Sequence, residues 1–317
     1  LKKGDIAPNI PMANIKEFQR DVVKIDYGEF RGGTKFRNGD TLLAKITPCL
    51  ENGKTAFVNC LQEDEIGFGS TEFIVLRAKE NIDERFLYYL SISPEFRKQA
   101  ISLMEGTSGR KRVNENALKI SDFLIPDFEE QRKIANILSA IDDKIQINNQ
   151  INQELEAMAK TLYDYWFVQF DFPDQNGKPY KSSGGKMVYH PELKREIPEG
   201  WGVETLRDFE SKIITGKTPS RANSDNFGGK IPFITIGDIR GNTFIYSTSE
   251  SLTDLGASVQ QNKYLPEGSL CVSCIATVGE IGFTTEWSHT NQQINSIVFE
   301  DETHRYYLYF ALKNYFE

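Results

Sequence analysis

The feature that most constrains the fold is a long stretch without proline or glycine between Pro126 and Pro173. Pro126 followed by Glu129 and Glu130 is typical of a helix start, because acidic side chains interact favourably with the positive end of the helix dipole. The pattern predicts one helix over residues 128–165, about 57 Å long at about 1.5 Å per residue.

One face of this helix carries apolar residues in steps that alternate between four and three. Such a heptad seam must be covered by a second long helix, from this chain or another. An ordinary core helix is the alternative, and the length weighs against it. Two asparagines in the seam cost stability but fix register and partner. The predicted helix-pairing residues are Ile134, Leu138, Ile141, Ile145, Asn148, Asn152, Leu155 and Leu162.

The regions on either side of the helix resemble each other. Matching segments occur in the same order: 38–46 with 267–275, 53–57 with 279–283, 73–76 with 296–299, and 85–90 with 305–310. Conserved order with small changes in spacing indicates two copies of one domain, although two unrelated α+β domains are an alternative. Each copy has the pattern of short strands with Gly/Asn turns followed by an amphipathic helix. We therefore predict an α+β fold.

The predicted organisation is a first domain at 1–127, the helix at 128–165, a linker at 166–198 and a second domain at 199–317. A length of 317 residues suits two domains with a connector. A hydrophobic content of 39% is enough for packed cores and excludes a disordered chain. No apolar run approaches the roughly 18 residues of a membrane span.

Familiar catalytic motifs are missing from the sequence. The three histidines have no metal-binding spacing, and no phosphate-binding loop or nucleophile elbow occurs. Cys271 and Cys274 have the spacing of a metal or redox pair, but the surrounding pattern is that of a strand. We interpret both as small core residues. Disulfides are not expected, and the cysteine usage suits a reducing cytoplasm.

Basic and amide-bearing loops are the alternative to a catalytic site. A net charge of −8 excludes a uniformly basic DNA-binding protein, but it averages over all faces. Arg110, Lys111 and Arg112 form the densest basic cluster, which could neutralise phosphates or simply be a solvated face.

The loop tips vary between the two copies, while the framework repeats. Gln and Asn can recognise adenine edges, Arg and Lys guanine edges, and Ser or Thr either. Two sugar-binding or peptide-binding modules would have the same pattern. The candidate DNA-binding residues are Lys45, Thr47, Asn52, Lys54, Ser70, Thr71, Arg110, Lys111 and Arg112 in the first copy, and Gln292, Gln293 and Asn295 in the second.

Four groups of short motifs now point to one family. They are Ile125-Pro126 with EQRKIA at 130–135; IDDK at 141–144 with NNQ at 148–150; TLYDYWF at 161–167 with GKPY at 177–180 and IPEGW at 197–201; and TGKTPS at 215–220 with GGKIPFI at 228–234. Together and in order, over essentially the whole chain, they resemble a specificity subunit of a type I restriction-modification system.

The resemblance implies two target recognition domains joined by two long helices that pack antiparallel. Each domain then recognises, through the major groove, one half of a split sequence in double-stranded DNA. The resemblance also implicates Lys217, Thr218 and Arg221 in the opening segment of the second recognition domain. The chain itself is expected to catalyse nothing and to bind no cofactor or metal.

The partners that the resemblance implies carry the chemistry. They are two methyltransferase subunits, which bind S-adenosylmethionine, and restriction subunits, which use ATP and Mg²⁺, in a bacterial or archaeal cytoplasm. The first domain is expected to lack its opening segment and the second to end before its long helix. If that is so, the seam could form a homodimer. A fragment of a fused, catalytic restriction-modification enzyme and a coiled-coil interaction protein without a DNA role are the alternatives.

Overall fold

The structure, a computed structural model, describes residues 1–107, 109–210 and 212–316. The chain divides into two compact units, Leu1–Gln153 and Glu154–Glu317. Each unit combines short strands with helices, so the predicted α+β class is confirmed. No helix among the described residues is both long enough and apolar enough to cross a membrane.

The first unit is built from short strands, four α-helical segments and a short 3-10 helix at Met12–Asn14. Its strands are β1 (Ile6–Ile10), β2 (Asp26–Glu29), β3 (Thr34–Phe36), β4 (Asp40–Ala44), β5 (Thr55–Phe57), β6 (Gly67–Gly69), β7 (Phe73–Arg77), β8 (Met104–Glu105) and β9 (Arg112–Val113). Its helices are α1 (Glu84–Ile92), α2 (Pro94–Ser102), α3 (Glu115–Lys119) and the first part of α4 (Phe128–Tyr163). The sheets have the orders β2-β1-β6-β3, β5-β4-β7 and β8-β9.

Strand β4 lies between two hydrophobic cores of this unit. Leu42 packs with Ile10 and Phe36, whereas Leu43 packs with Leu50 and Phe96. Successive side chains of a strand point to opposite faces, so adjacent leucines serve different cores. This explains why β4 is a continuous apolar run rather than an alternating one.

The second unit contains the C-terminal part of α4 and a larger set of strands. The strands are β10 (Met187–His190), β11 (Arg195–Pro198), β12 (Ile213–Thr215), β13 (Phe227–Ile234), β14 (Phe244–Ile245), β15 (Glu250–Leu252), β16 (Leu270–Ser273), β17 (Ile281–Thr284), β18 (His289–Thr290) and β19 (Ile294–Ile297). The helices are α5 (Leu206–Phe209), α6 (Ile236–Ile239), α7 (Asp254–Ser258) and α8 (His304–Phe316). The sheets have the orders β12-β19-β16-β17-β14, β15-β13-β18 and β10-β11.

The two units share a strand arrangement. The order β5-β4-β7 corresponds to β17-β16-β19, and β2-β1-β6 corresponds to β15-β13-β18. The pairing of β1 with β6 and the equivalent pairing of β13 with β18 are both parallel, whereas β1 with β2 and the equivalent β13 with β15 are antiparallel. The predicted duplication is therefore confirmed at the level of topology.

One predicted match between the copies is wrong by two residues. Thr41 pairs with Leu76 across β4 and β7, and its equivalent Leu270 pairs with Ile297 across β16 and β19. Leu76 therefore corresponds to Ile297, not to Phe299. A slip of two residues keeps every side chain on the same face, so the hydrophobic pattern cannot reveal it. The corrected register makes Glu72 equivalent to Gln293.

The predicted long helix is present, with a different ending. Helix α4 runs from Phe128 to Tyr163, and a π-helical turn follows at Asp164–Val168. The segment predicted as a linker also contains the β10-β11 hairpin. Before that hairpin, the Phe172 ring stacks with Tyr180 and with Trp201 of the segment that follows, with centroid distances of 4.8 and 5.2 Å. The domain boundaries remain a prediction.

Candidate nucleic-acid interface

Backbone hydrogen bonds bring three segments of the first unit together at the C-terminal end of β4. The Lys45 amide donates to the Glu72 carbonyl at 2.9 Å, and the Val113 amide donates to the Lys45 carbonyl at 2.9 Å. The Thr47 amide donates to the Lys111 carbonyl at 3.0 Å. We call this patch the first polar surface; it comprises Lys45, Thr47, Ser70, Thr71, Arg110, Lys111 and Arg112.

The remaining candidates of the first unit, Asn52 and Lys54, lie on the loop that follows. The backbone amide of Asn52 donates to the Pro48 carbonyl at 2.9 Å, and the Asn52 side chain is exposed. The Lys54 ammonium donates to the Met12 carbonyl at 3.3 Å, so it already has an acceptor within the unit. The Thr47 hydroxyl is buried and has no hydrogen-bond partner among the described residues.

The cations of the first polar surface fall into two classes. Arg112 is held by Glu72, and the Lys45 ammonium lies 2.8 Å from Glu115. Arg110 and Lys111 are exposed and make no side-chain hydrogen bond or ion pair within the described part of the chain. Their neighbour Ser108, which belongs to the predicted basic loop, lies outside the described residues.

Glu72 is a functional candidate that the sequence analysis missed. The hydrogen bonds from Arg112 lower the pKa of the Glu72 carboxyl below its ordinary value, against the opposing effect of burial. The carboxylate is therefore the charged partner of Arg112 at neutral pH. The only signal in the sequence was its place directly before a strand, which does not predict an arginine partner 40 residues away.

In the second unit, two of the predicted residues bond to each other. The Thr218 hydroxyl donates to the Gln292 side-chain carbonyl at 2.6 Å. The Lys217 amide donates to the Thr290 carbonyl at 3.0 Å, which places an exposed lysine beside them. These three residues therefore lie together, as the candidate site requires.

A second polar group lies along the β12-β19 edge and the end of β16. Asn295 accepts a 2.8 Å hydrogen bond from the Thr215 hydroxyl and donates to the Cys274 sulfur at 3.3 Å. The Cys274 amide donates to the Gln293 carbonyl at 2.8 Å. Gln293 and Asn295 are thus joined through Cys274, a residue absent from the predicted set.

Arg221 belongs to a different environment from the other candidates of this unit. Its guanidinium donates to both carboxylate oxygens of Glu250, at 2.8 and 2.7 Å, and lies 5.1 Å from the centroid of the Phe227 ring. The structure therefore holds Arg221 in a fixed orientation, separately from the Thr218–Gln292 pair.

The interpretation of the two spaced cysteines as core residues is right for one and wrong for the other. Cys271 is fully buried in β16, and burial raises the pKa of its thiol to about 12. Cys274 follows the end of that strand and is exposed. The described residues contain no group of three or more His, Cys, Asp or Glu side chains that could hold a metal ion.

A family model described as "Type I restriction modification DNA specificity domain" matches residues 2–157 and 198–317. The chain belongs to this family. The specificity subunit of the type I restriction enzyme HindI from Haemophilus influenzae is 34% identical over 367 residues, covering 99% of this chain and 76% of that protein. The MjaIX specificity subunit from Methanocaldococcus jannaschii is 29% identical over 192 residues, covering 61% of this chain and 42% of that protein.

The chain also resembles a solved structure of the same family. The HsdS subunit from Thermoanaerobacter tengcongensis aligns with 98% of this chain and 73% of that chain, with a TM-score of 0.39 and 20% sequence identity.

In this specificity-family chain, helix α4 leaves an apolar face uncovered. Of the predicted seam, Ile134, Ile141, Ile145, Leu155 and Leu162 are exposed large apolar side chains. Asn148 and Asn152 are exposed as well. Four further apolar residues of α4, which do not lie at positions of the predicted heptad seam, are also exposed: Ile137, Ile147, Ile151 and Met158. We call the exposed apolar residues at 134, 137, 141, 145, 151, 155, 158 and 162 the α4 apolar face.

Leu138 does not belong to that face. It packs against the buried cluster of Phe57, Tyr88 and Tyr89 in the first unit. The same side of the helix buries Ala135 and Ser139. A seam residue predicted to pair with another helix therefore serves the fold of its own unit.

Proposed function

We propose that this chain is the DNA-sequence-recognition subunit of a type I restriction-modification complex, and that each unit recognises one half of a bipartite target in double-stranded DNA. The observation that carries the proposal is the equivalent placement of variable polar loops on two copies of one framework. In the first unit, Lys45 and Glu72 are joined by a backbone hydrogen bond, and in the second unit the equivalent Cys274 and Gln293 are joined in the same way.

The two surfaces differ in chemistry, which suits two different half-sites. The first polar surface carries arginine and lysine, which recognise guanine edges and phosphates. The second carries Gln292, Gln293 and Asn295, whose amides match the donor and acceptor pair of adenine in the major groove. Amide groups add no charge, so a chain of net charge −8 can still bind DNA through local contacts.

Partner subunits complete the proposed complex. A chain with few free cations at its interface is expected to bind DNA weakly alone, because phosphate neutralisation supplies much of the affinity. We propose that two methyltransferase subunits supply part of that contact and bind S-adenosylmethionine. Restriction subunits would supply the ATP- and Mg²⁺-dependent chemistry, all in the cytoplasm. The specificity chain itself would be non-catalytic.

The α4 apolar face supports a further helix partner. Eight exposed apolar side chains along one helix are costly in water, at about 25 cal/mol per Å² of apolar surface. We propose that a second long helix covers them, and a second copy of this chain is one source, which would give a homodimer.

Binding of DNA libraries by the purified complex with its methyltransferase partner tests the recognition role. We expect enrichment of a bipartite motif and strong salt dependence of the affinity. Equal binding to all sequences would contradict the proposal. Incubation of the chain alone with DNA, Mg²⁺ and S-adenosylmethionine should give neither methylation nor cleavage, and turnover by the chain alone would favour the fused-enzyme alternative.

A further inference from the structure

On the first polar surface, the Arg112 guanidinium forms a hydrogen-bonded ion pair with a carboxylate along its Nε–Nη2 edge. Its Nε lies 3.0 and 2.9 Å from the two carboxylate oxygens of Glu72, and its Nη2 lies 2.7 Å from Oε1. Such fork geometry fixes the plane of the guanidinium as well as its position. The Arg112 head group is therefore oriented before any ligand arrives.

Both ends of this pair are tied to the framework. The Glu72 amide donates to the Ser70 hydroxyl oxygen at 3.1 Å, and the Glu72 carbonyl accepts from the Lys45 amide. Arg112 lies in β9, where it pairs with Glu105, and forms a β-bridge with Ile46. The backbone thus holds the carboxylate and the guanidinium in register.

The fork leaves part of the guanidinium available. A guanidinium has five N–H donors, and Glu72 occupies those of Nε and one of Nη2. The Nη1 group and the other Nη2 hydrogen remain, and Nη1 makes no hydrogen bond within the described residues. Two donors on one edge match the O6 and N7 acceptors of guanine.

The carboxylate also changes what Arg112 can bind. A guanidinium that is paired with a carboxylate attracts a phosphate less strongly than an unpaired guanidinium does. Arg110 and Lys111 have no such partner in the described chain and remain suited to phosphates. Phosphate contacts position a protein on DNA, whereas base contacts specify the sequence.

We propose that Glu72 is a positioning residue that orients Arg112 toward a guanine edge and prevents it from serving as a general phosphate contact. The inference rests on the proposed recognition function and assigns a guanine-containing half-site to the first unit. In the second unit the side-chain oxygen of the equivalent Gln293 accepts a hydrogen bond from the side-chain Nδ2 of Asn291 instead of binding an arginine. The effect of Glu72 should therefore be confined to one half-site.

The test is Glu72→Gln in the complex with the methyltransferase partner, using the selected target and single-base variants of it. With the carboxylate gone, Arg112 can contact a phosphate. The slope of log K against log[salt] should become steeper by about 0.9, the value for one added phosphate. Affinity for random DNA should rise, and discrimination at one base pair of one half-site should fall by about tenfold. Glu72→Asp should restore part of that discrimination.

Glu105→Gln is the matched control. It removes a negative charge from β8, opposite Arg112 in the β8-β9 ladder. The Glu105 carboxylate accepts a hydrogen bond from the Asn114 side chain and forms no ion pair with an arginine side chain among the described residues. Its salt slope and base discrimination should equal those of the wild type. Arg112→Gln should lose discrimination at the same base pair without a steeper slope.

Two results separate the inference from the function on which it rests. If the wild-type complex is sequence-selective while Glu72→Gln keeps the wild-type slope and discrimination, the role of Glu72 is wrong and the recognition function stands. The role is equally wrong if Glu105→Gln behaves like Glu72→Gln. If the wild-type complex shows no selectivity, the recognition function itself fails.

Discussion

The hydroxyl of Tyr309 on α8 donates a 2.8 Å hydrogen bond to the carboxylate of Glu156 on α4. Lys313 donates to the same oxygen at 2.6 Å. In the first unit the equivalent residue Tyr89, on α1, donates at 2.7 Å to Asp142, also on α4. A repeated tyrosine–carboxylate bond thus attaches the helix of each copy to α4.

Removal of the Tyr309 hydroxyl should destabilise the second unit. Burial tends to raise the pKa of Glu156, but hydrogen bonds from Lys313 and Tyr309 outweigh it and keep that pKa below the ordinary value. Tyr309→Phe should lower the free energy of unfolding by about 1.5–3 kcal/mol, the usual contribution of a hydrogen bond to a charged group. Urea denaturation at pH 7 measures it.

The loss of stability in Tyr309→Phe should depend on pH, because the pKa of Glu156 is lowered in the folded state. A carboxyl whose pKa is lowered in the folded state contributes stability above its unfolded pKa and loses it as pH falls through the folded value. The difference between Tyr309→Phe and wild type should therefore shrink below about pH 4. Tyr315→Phe is the control, because Tyr315 is 79% exposed and has no hydroxyl partner among the described residues. An equal loss in both variants would contradict the prediction.

His289 should make the second unit sensitive to acid. It is fully buried, neither ring nitrogen has a partner in the described chain, and burial lowers its pKa to about 4. The unfolded state, with a pKa near 6.5, binds the proton more tightly, so stability falls as pH drops from about 6.5 to 4. The full difference is about 3 kcal/mol.

Replacement of His289 by the residue used in the first unit tests this directly. The corrected register makes Phe68 its equivalent, and Phe68 packs in an apolar cluster. His289→Phe should remove most of the fall in melting temperature between pH 7 and pH 5. An unchanged pH profile would show that another group titrates in this range.

Polar substitutions on the α4 apolar face should abolish helix pairing without unfolding the chain. Ile141 and Ile145 are 51% and 52% exposed, so Ile141→Lys with Ile145→Lys removes little packing within the first unit. Sedimentation velocity should show loss of self-association or of partner binding, with an unchanged melting temperature. Gln146→Lys, outside that face on the same helix, is the control. If the double variant associates as the wild type does, the α4 apolar face does not bind a partner helix.

Arg110 and Lys111 should contribute affinity but no selectivity. Each Gln substitution should make the slope of log K against log[salt] shallower by about 0.9, since one phosphate contact is lost. Discrimination between the target and its single-base variants should stay the same, measured by fluorescence anisotropy at several salt concentrations. Lys79→Gln, at another exposed lysine of the first unit, should leave the slope unchanged. A change in base preference would reassign these side chains to base recognition.

The regular parts of the fold could be predicted because their patterns are long. The α4 heptad pattern and the order of the four matched segments are each defined by many residues. A single residue that departs from the pattern therefore does not change the prediction. The convergence of Lys45 with Arg110–Arg112 could be anticipated only as a set of loops, because no local pattern reports contacts between residues 65 positions apart.

Other features depend on tertiary context. The two-residue slip at β7 and β19 preserves alternation and is invisible to periodicity. Leu138 matched the seam, but in the folded unit it packs against the cluster that contains Tyr88. Cys274 has an apolar sequence neighbourhood, yet β16 ends one residue before it. Glu72 and Arg112 come together because both segments pair with the chain at Lys45 and Ile46, and only the folded backbone shows that pairing.

Methylome sequencing of a host that carries the methyltransferase gene, with and without this gene, tests the central claim most directly. We predict a methylated bipartite motif that appears only when this chain is present. With Arg112→Gln, we expect relaxed sequence preference in one half of that motif and an unchanged other half. Methylation that is independent of this chain, or equal relaxation of both halves, would contradict recognition of one half-site by each unit.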